Sequence, residues 1–331
     1  MPTMAGPEPD QQSTSAKKAE FLRPFHGESL LQNGDLRTMH RERASRMLAD
    51  ADFLRSRQAS LGPFLEIGAG SVQRSAALLN NHKVEGIATD ISQNSLRDAP
   101  YMLSLFGYSQ TPLLICCDAH HLPFLDNSFG LVFVYQALHH FNNPVPIAAE
   151  CHRVLAKGGH FFFNDEPMDS TFRRFLRGSR VLSHPRTRLQ QVGYRLGVEK
   201  LFWDDGAIER SLGMTEARFD IELWRDVLHP FRIVSVEVNR KLKLRSDLRK
   251  AGVKSFLSGF VGGNVRGLCQ KVDGQNLTGS PRDRLMCLEC GNRLELSDLK
   301  PLSCGVCGTT YPKADGVIRM FPKQLETELL G

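Results

Sequence analysis

The chain has 331 residues, of which 41% are hydrophobic and 24% charged, and these proportions are ordinary for a soluble globular protein. Its net charge of +6 permits an anionic partner, including nucleic acid, without requiring one. The longest stretch without Asp, Glu, Lys or Arg, residues 127–149, contains two prolines and several polar side chains, so no transmembrane segment is expected. Because no secretory signal pattern opens the chain, its eight cysteines are expected to be the reduced thiols of a cytoplasmic protein, some of them bound to metal.

Hydrophobic periodicity divides the first half of the chain into alternating helices and strands. Residues 1–20 are polar and contain prolines, which predicts a disordered tail, and an amphipathic helix follows within 37–59. The next apolar runs predict strands separated by helical patterns. The strands are expected near 63–67, 84–89, 112–117, 130–135 and 159–164, and the helices near 71–80, 93–106 and 145–156. This alternation predicts an α/β fold with a parallel, doubly wound, Rossmann-like sheet.

The second half of the chain is expected to complete this sheet and to add a small module. Residues 168–228 are rich in arginine and show no clear strand pattern, which predicts a helical cap over the carboxyl edge of the sheet. Phe231–Val238 and Val265–Val272 predict two more strands, forming an antiparallel pair. The predicted units are a main domain over 21–272 with its core at 60–165, a polar linker over 273–282 and a cysteine module over 283–322.

A glycine-rich turn after the first strand is the most informative pattern in the chain. Phe64–Ile67 runs directly into Gly68-Ala69-Gly70, and the next apolar run ends at Asp90, where a carboxylate can hold a pair of ribose hydroxyls. A dinucleotide site would need a third small residue at the position of Gln73. Glu66 would also repel a pyrophosphate, whereas it is compatible with a cationic sulfonium. The pattern therefore favours S-adenosylmethionine (SAM) over NAD as the cofactor.

Further motifs occur in the order and at the spacing typical of one enzyme family. They are Glu66-Ile67-Gly68-Ala69-Gly70, Asp90, Cys117-Asp118-Ala119, Leu122-Pro123-Phe124, Asn127-Ser128-Phe129-Gly130, Gln136-Ala137-Leu138-His139-His140-Phe141 and Arg153–Gly159. On these residues, the stretch 60–165 resembles the class I SAM-dependent methyltransferases of the small-molecule type. The family usually has one more glycine after Gly70, where this chain has Ser71 and Val72.

The resemblance implies a SAM site and gives each of its residues a role. Asp90 would accept hydrogen bonds from both ribose hydroxyls, Asp118 would bind the adenine amino group, and the Ala119 amide would bind a ring nitrogen. Glu66 would lie near the methionine end or order the loop, Gly68 and Gly70 would allow close backbone approach, and Gln136 would face the cofactor or the methyl path. Two plainer alternatives stay open, namely Asp90 as a helix cap and Asp118 as a turn residue.

The acceptor is less well defined than the donor, because methyl transfer needs mainly in-line positioning and the removal of one proton. His140, Asp165 and Glu166 are the candidate catalytic residues, although histidines and carboxylates at such positions also serve in packing and turns. The first hypothesis is a small-molecule or glycan-type hydroxyl acceptor. The alternatives are methylation of RNA or of a translation protein, and a non-catalytic SAM-binding scaffold. Tyr135–Leu138 lacks the Asn/Asp-Pro-Pro-aromatic motif of base methylation, which disfavours that variant.

The cysteine module has the spacing of a structural zinc site. Two Cys-x2-Cys pairs, Cys287/Cys290 and Cys304/Cys307, can supply four thiolates to one tetrahedral ion and leave no open position for catalysis. Tyr311-Pro312 and Asp315–Ile318 make the module similar to the zinc ribbons of small tRNA-methyltransferase-activator proteins, which implies a stabilising role. The usual proline after the first cysteine is Leu288 here. Since the module offers more apolar surface than it can bury alone, we expect it to dock on the main domain of its own chain.

Two basic sets lie outside these motifs. The first has Arg173, Arg174, Arg177, Arg180, Arg186, Arg188 and Arg195, and the second has Arg240, Lys241, Lys243, Arg245, Arg249, Lys250 and Lys254. They are compatible with solvated helix faces, with recognition of a phosphate-bearing acceptor, or with contact to an anionic membrane surface. The sequence leaves these interpretations open.

Overall fold

A computed structural model describes residues 14–22, 36–104, 106–169, 219–238, 244–245, 248, 253, 256–257, 260, 262–297 and 301–331. The greater part of the predicted helical cap, residues 170–218, and the first basic set therefore lie outside the described residues. No helix within the described ranges combines the length and apolarity that crossing a bilayer requires.

The centre of the molecule is a parallel sheet whose strands follow the predicted apolar runs. They are β1 (Phe64–Ile67), β2 (Gly86–Asp90), β3 (Leu113–Cys116), β4 (Phe129–Tyr135) and β5 (Leu155–Met168). Every residue of β4 is buried, as expected for a strand covered on both faces. The spatial order β3-β2-β1-β4-β5 reverses direction between β1 and β4, which is where open α/β sheets bind ligands. The prediction of a Rossmann-like α/β sheet is confirmed.

Helices alternate with these strands as predicted, and antiparallel strands extend the sheet beyond β5. The helices are α2 (Leu36–Ser56), α3 (Gln73–His82), α4 (Gln93–Arg97), α5 (Ala99–Ser104), α6 (Val145–Val154) and α7 (Ile221–Leu228). The predicted antiparallel pair is present as β6 (Arg232–Val238) and β8 (Gly263–Gln270), with β8 lying between β5 and β6. The two-residue strand β7 (Leu244–Arg245) ends the sheet on this side.

The cysteine module is joined to the other edge of the same sheet. Its strands are β9 (Leu302–Ser303), β10 (Thr310–Tyr311), β11 (Lys313–Ala314) and β12 (Val317–Arg319), followed by helix α8 (Lys323–Leu330). β12 pairs in parallel with β3, and Ile318 lies opposite Ile115. The Met286 amide also donates to the Pro123 carbonyl oxygen at 2.9 Å. The module therefore docks on its own chain, as expected, and adds β11 and β12 to the main sheet.

The N-terminal segment corrects one prediction. Residues 14–20 were expected to belong to a disordered tail, but Thr14–Leu22 forms a helix, α1. Ala16 and Phe21 are buried, and the Phe21 ring meets Phe321 edge-on, with the ring centroids 5.9 Å apart. The polar composition of the segment did not predict this helix. Its apolar side is buried in part by Phe321 and helix α8, which are about 300 residues away in sequence. Residues 1–13 lie outside the described part.

Candidate functional site

A cavity of about 100 Å³ opens at the carboxyl ends of β1, β2, β3 and β4. Six of the predicted site residues line it, and they come from the loops that follow these four strands. They are Gly68, Asp90, Asp118, Ala119, Gln136 and His140. Residues far apart in sequence meet here because parallel strands deliver their carboxyl ends to one edge of a sheet. Four other predicted residues, Glu66, Gly70, Asp165 and Glu166, are not in this lining.

The turn after β1 holds its shape through Asp90. The Gly70 amide donates to Asp90 Oδ2 at 2.8 Å, and the Ser92 amide donates to Asp90 Oδ1 at 2.8 Å. Gly68 has φ +67°, and a Cβ at this position would lie 2.5 Å from Ala137 Cβ, so only glycine fits. Helix α4 is capped by Ser92, whose hydroxyl accepts from the Ser95 amide. Asp90 is therefore not itself the helix cap.

Glu66 lies beneath the turn, away from the cavity. It is buried, and its Oε2 accepts from both the amide and the hydroxyl of Ser75 in the first turn of α3. Burial raises the pKa of Glu66 to about 7. This position matches the second role implied for Glu66, that of ordering the loop.

Asp118 is held as a carboxylate by neighbours on both sides. Its Oδ1 accepts from the His120 amide at 3.0 Å and lies 2.7 Å from His120 Nδ1, while its Oδ2 lies 2.7 Å from Lys17 Nζ. Burial alone would raise the pKa of Asp118, but the His120 hydrogen bond and the Lys17 charge hold that pKa well below its usual value. The side chain is thus an acceptor, and one of its partners is a lysine from the N-terminal helix α1.

Glu166 serves the cavity wall rather than an acceptor. It is fully buried; its Oε1 accepts from the Ala137 and Leu138 amides, and its Oε2 accepts from the His139 amide and contacts His139 Nδ1 at 2.9 Å. All of its oxygens are engaged in fixing the turn after β4. The geometry therefore does not support a direct catalytic role for Glu166, and we class it as a positioning residue.

The other two catalytic candidates differ in their access to the cavity. His140 lines it, with Nδ1 3.6 Å from Oε1 of Glu20 on α1. Asp165 lies within β5, directly after the last residue that pairs with β4, is outside the lining and forms an ion pair with Arg46 of α2. It has a φ of +60°, a conformation uncommon for a residue other than glycine. Of the three candidates, His140 is the one that the fold exposes to the cavity.

Helix α1 supplies two site residues that the sequence interpretation missed. Lys17 contacts Asp118, and Glu20 lines the cavity beside His140. Spacing around the glycine turn carries no signal for either residue, because α1 reaches the site from a segment that precedes all the motifs.

The four module cysteines come together as their spacing predicts. Their sulfur atoms all lie within 4.8 Å of one another, with 3.6 Å between Cys287 and Cys307 and 3.5 Å between Cys290 and Cys304. Zinc–thiolate bonds of about 2.3 Å in a tetrahedron would separate the sulfurs by about 3.8 Å, so this set fits a zinc ion. Tyr311 supports the cluster, since its hydroxyl lies 3.3 Å from Cys287 Sγ and accepts from the Leu288 amide at 2.7 Å. The remaining four cysteines are buried core thiols, as predicted.

Comparison with known proteins agrees with this geometry. Residues 65–163 match the family model described as "Methyltransferase domain". A malonyl-[acyl-carrier protein] O-methyltransferase of Halorhodospira halophila is 30% identical over 134 residues, which is 39% of this chain and 42% of that protein. The chain thus spans less than half the length of this curated relative.

Solved structures resemble this chain only remotely and at low sequence identity. A chain from the complex of the Haloferax volcanii Trm112 methyltransferase activator with a methyltransferase is 15% identical, with a TM-score of 0.42 over 75% of this chain and 98% of that one. Geranyl diphosphate C-methyltransferase of Streptomyces coelicolor is 11% identical, with a TM-score of 0.45 over 68% and 77% of the two chains. These likenesses are too remote to bear on the substrate. Residues 65–163 thus match a methyltransferase domain, and their strand order is that of an open, doubly wound α/β sheet.

Proposed function

We propose that this chain transfers a methyl group from SAM to a hydroxyl of a small-molecule or glycan-type acceptor in the cytoplasm. The observation that carries the proposal is the pair of carboxylates, Asp90 and Asp118, at the ends of adjacent strands on one cavity. An O-methyltransferase among the relatives favours an oxygen acceptor. Bound SAM would supply an electrophilic methyl group, and the protein would supply orientation and a path for one proton.

The residues around the cavity fit the parts of SAM. Asp90 would accept from the ribose hydroxyls with the lone pairs that Gly70 and Ser92 leave available. Asp118 and the Ala119 amide would bind adenine, and Gly68 would allow the methionine portion to approach the backbone. Gln136 would face the methyl path, and Glu66 and Gly70 would hold the turn in shape.

SAM entry would require a displacement of α1. The cavity of about 100 Å³ is smaller than the roughly 300–1,000 Å³ typical of ligand pockets. Lys17 also occupies the Asp118 oxygen on the α1 side. We infer that α1 moves outward when the cofactor enters and that the Lys17–Asp118 ion pair opens in the same step.

His140 is the proposed proton acceptor on the acceptor side. It lines the cavity and is next to His139, whose ring is fixed by Glu166. Asp165 and its partner Arg46 lie at the neighbouring strand end, where they would orient the acceptor. A His140→Gln variant should lose turnover while retaining SAM affinity. Its residual activity should no longer depend on pH near the histidine range.

Cofactor binding tests the proposal directly. Asp90→Ala should weaken SAM binding in calorimetry by about 1.5–3 kcal/mol, the range for hydrogen bonds to a charged group. Asp98→Ala, which removes a partly exposed carboxylate just after α4, is the matched control and should leave the affinity unchanged. Unchanged affinity in a folded Asp90→Ala variant, or tight binding of NAD, would contradict the proposal.

The acceptor class requires a separate experiment. The purified chain would be incubated with tritiated SAM and either a small-molecule extract or an RNA fraction. We expect label in the small-molecule fraction. Label in RNA or in a translation protein would favour the alternative that the module's resemblance raised. SAM binding without any transfer would favour the scaffold.

We also propose that the module holds one structural zinc ion. Cys287, Cys290, Cys304 and Cys307 would be its ligands, and four thiolates leave no position for a reacting group. Elemental analysis should find one zinc per chain, and Cys304→Ser should release it. Cys151→Ser, at a buried cysteine outside the cluster, should retain the metal. A well-folded chain without metal would contradict this assignment.

A further inference from the structure

The segment between β7 and β8 leaves a stripe of apolar side chains in solvent. Val253, Phe256, Leu257 and Phe260 are 76%, 69%, 40% and 41% exposed and are all in helical conformation. Their spacing of three and four residues places them on one face of a helix. The Phe256 and Phe260 rings stack with centroids 6.1 Å apart. Contiguous exposed apolar patches on soluble proteins commonly mark interaction sites.

The stripe is attached to the body of the protein at its beginning. Leu248, just before it, is fully buried in the main core, and its carbonyl oxygen accepts from Arg225 Nε of α7 at 2.7 Å. The segment therefore leaves the core at a fixed point and then presents apolar residues outward. In sequence it lies between β7, the last strand of the sheet on the side away from the cysteine module, and β8.

The charge of the surrounding sequence indicates which partner would cover the stripe. Residues 240–254 contain seven lysines and arginines and one acidic residue, Asp247. Exposed phenylalanines together with a basic flank are typical of elements that lie in the interface of an anionic bilayer. A nucleic acid would also attract the positive charge, but Val253 and Leu257 have no ring on which a base could stack. The apolar residues therefore favour an anionic bilayer over a nucleic acid as the partner.

We propose that Val253, Phe256, Leu257 and Phe260 form a peripheral docking site for an anionic membrane surface. Phe256 and Leu257 enter the region between the headgroups and the acyl chains, while the neighbouring basic residues contact acidic headgroups. The proposal is independent of the SAM site, since none of these residues lines the cofactor cavity.

Vesicle cosedimentation with the full chain tests this site. The wild type should bind phosphatidylcholine vesicles that contain phosphatidylglycerol and bind pure phosphatidylcholine vesicles much less. The double variant Phe256→Ser/Leu257→Ser should reduce binding to the anionic vesicles by about tenfold or more, because two buried apolar side chains are lost. Val306→Ser, which removes an apolar residue that is 71% exposed on the cysteine module, is the matched control and should bind like the wild type.

A second variant reports on insertion rather than on folding. Phe256→Trp should show a blue-shifted tryptophan emission on addition of anionic vesicles and no shift with neutral ones. The proposal is overturned if the double variant binds vesicles like the wild type, or if Phe256→Trp shows no shift. It is also overturned if the wild type ignores the vesicles and instead binds transfer RNA through the same residues.

Discussion

At one edge of the sheet β3 is covered by β12, while at the opposite edge the outer side of β6 pairs, within the described residues, with the two residues of β7. The first edge is completed by the chain's own C-terminal module, which buries Ile318 and Met320 in the main core. The second edge is followed by exposed Phe256 and Leu257. Unpaired sheet edges invite association, so proteins cover or blunt them. One edge is thus closed by a packed module, while the other is followed in sequence by the exposed apolar stripe.

Disrupting the covered edge should have the largest effect. Ile318→Ala leaves a cavity where β12 meets β3 and should lower the free energy of unfolding by about 2–5 kcal/mol, the range for buried isoleucine truncation. Val306→Ala, on the exposed tip of the same module, should change it by less than about 0.5 kcal/mol. Urea denaturation of both variants measures the difference. Equal effects would show that the module does not stabilise the sheet.

Glu66 lies on the central strand β1, away from both edges, and its burial should make the free energy of unfolding depend on pH. The pKa of Glu66 is about 7 in the folded protein against an ordinary 4.5, so the proton it retains stabilises the fold below pH 4.5. That contribution is lost as the pH rises from 4.5 through 7, by about 3 kcal/mol at 1.36 kcal/mol per unit.

Glu66→Gln, which stays neutral, should lack this dependence. Denaturation at several pH values should therefore show the wild type losing stability relative to Glu66→Gln across this window. Parallel curves for the two proteins would contradict the assignment. Ile318→Ala should keep the wild-type dependence, because it acts at the edge only.

Releasing α1 should have a smaller effect, on the cofactor rather than on stability. Lys17→Ala removes the ion pair that competes for Asp118 and should tighten SAM binding by up to about fivefold, equivalent to about 1 kcal/mol. Lys18→Ala, at the neighbouring position on the same helix, is the control and should bind SAM like the wild type. Weaker SAM binding by Lys17→Ala would show that the lysine assists the cofactor instead of competing with it.

The open edge should be the least sensitive to substitution in solution. Leu257→Ala removes a side chain that is 40% exposed and should change the free energy of unfolding by less than about 0.5 kcal/mol. A loss comparable to that of Ile318→Ala would mean that the stripe packs within the protein, and the contrast between the two edges would fail.

The features that the sequence predicted well are those encoded locally. The turn at Gly68 and Gly70 and the carboxylate of Asp90 lie within consecutive elements, and the four zinc-spaced cysteines carry their pattern in two short segments. Each of these groups forms as predicted because its partners are close in sequence or at the ends of adjacent strands.

The features that were missed depend on long-range contacts. The sequence around Lys17 does not indicate that its side chain contacts Asp118. Likewise, the sequence around Phe21 does not indicate that its ring packs against Phe321. Glu166 was expected to face an acceptor because of its place near the end of the fifth strand. Instead, three amides of the turn after β4 donate hydrogen bonds to its carboxylate and hold the side chain in the interior. Such outcomes depend on the packed structure, which a single sequence does not display.

The ribosome makes α1 long before α8, yet these two helices pack together in the folded protein. At typical elongation rates, the interval between the synthesis of Phe21 and that of its contact Phe321 is on the order of tens of seconds. During this interval the glycine turn, Asp90 and Asp118 are already made, while the seat of α1 is not. A nascent chain that has not reached Phe321 therefore already has the cavity residues Asp90 and Asp118, but it lacks the contacts that α8 and Phe321 make with α1.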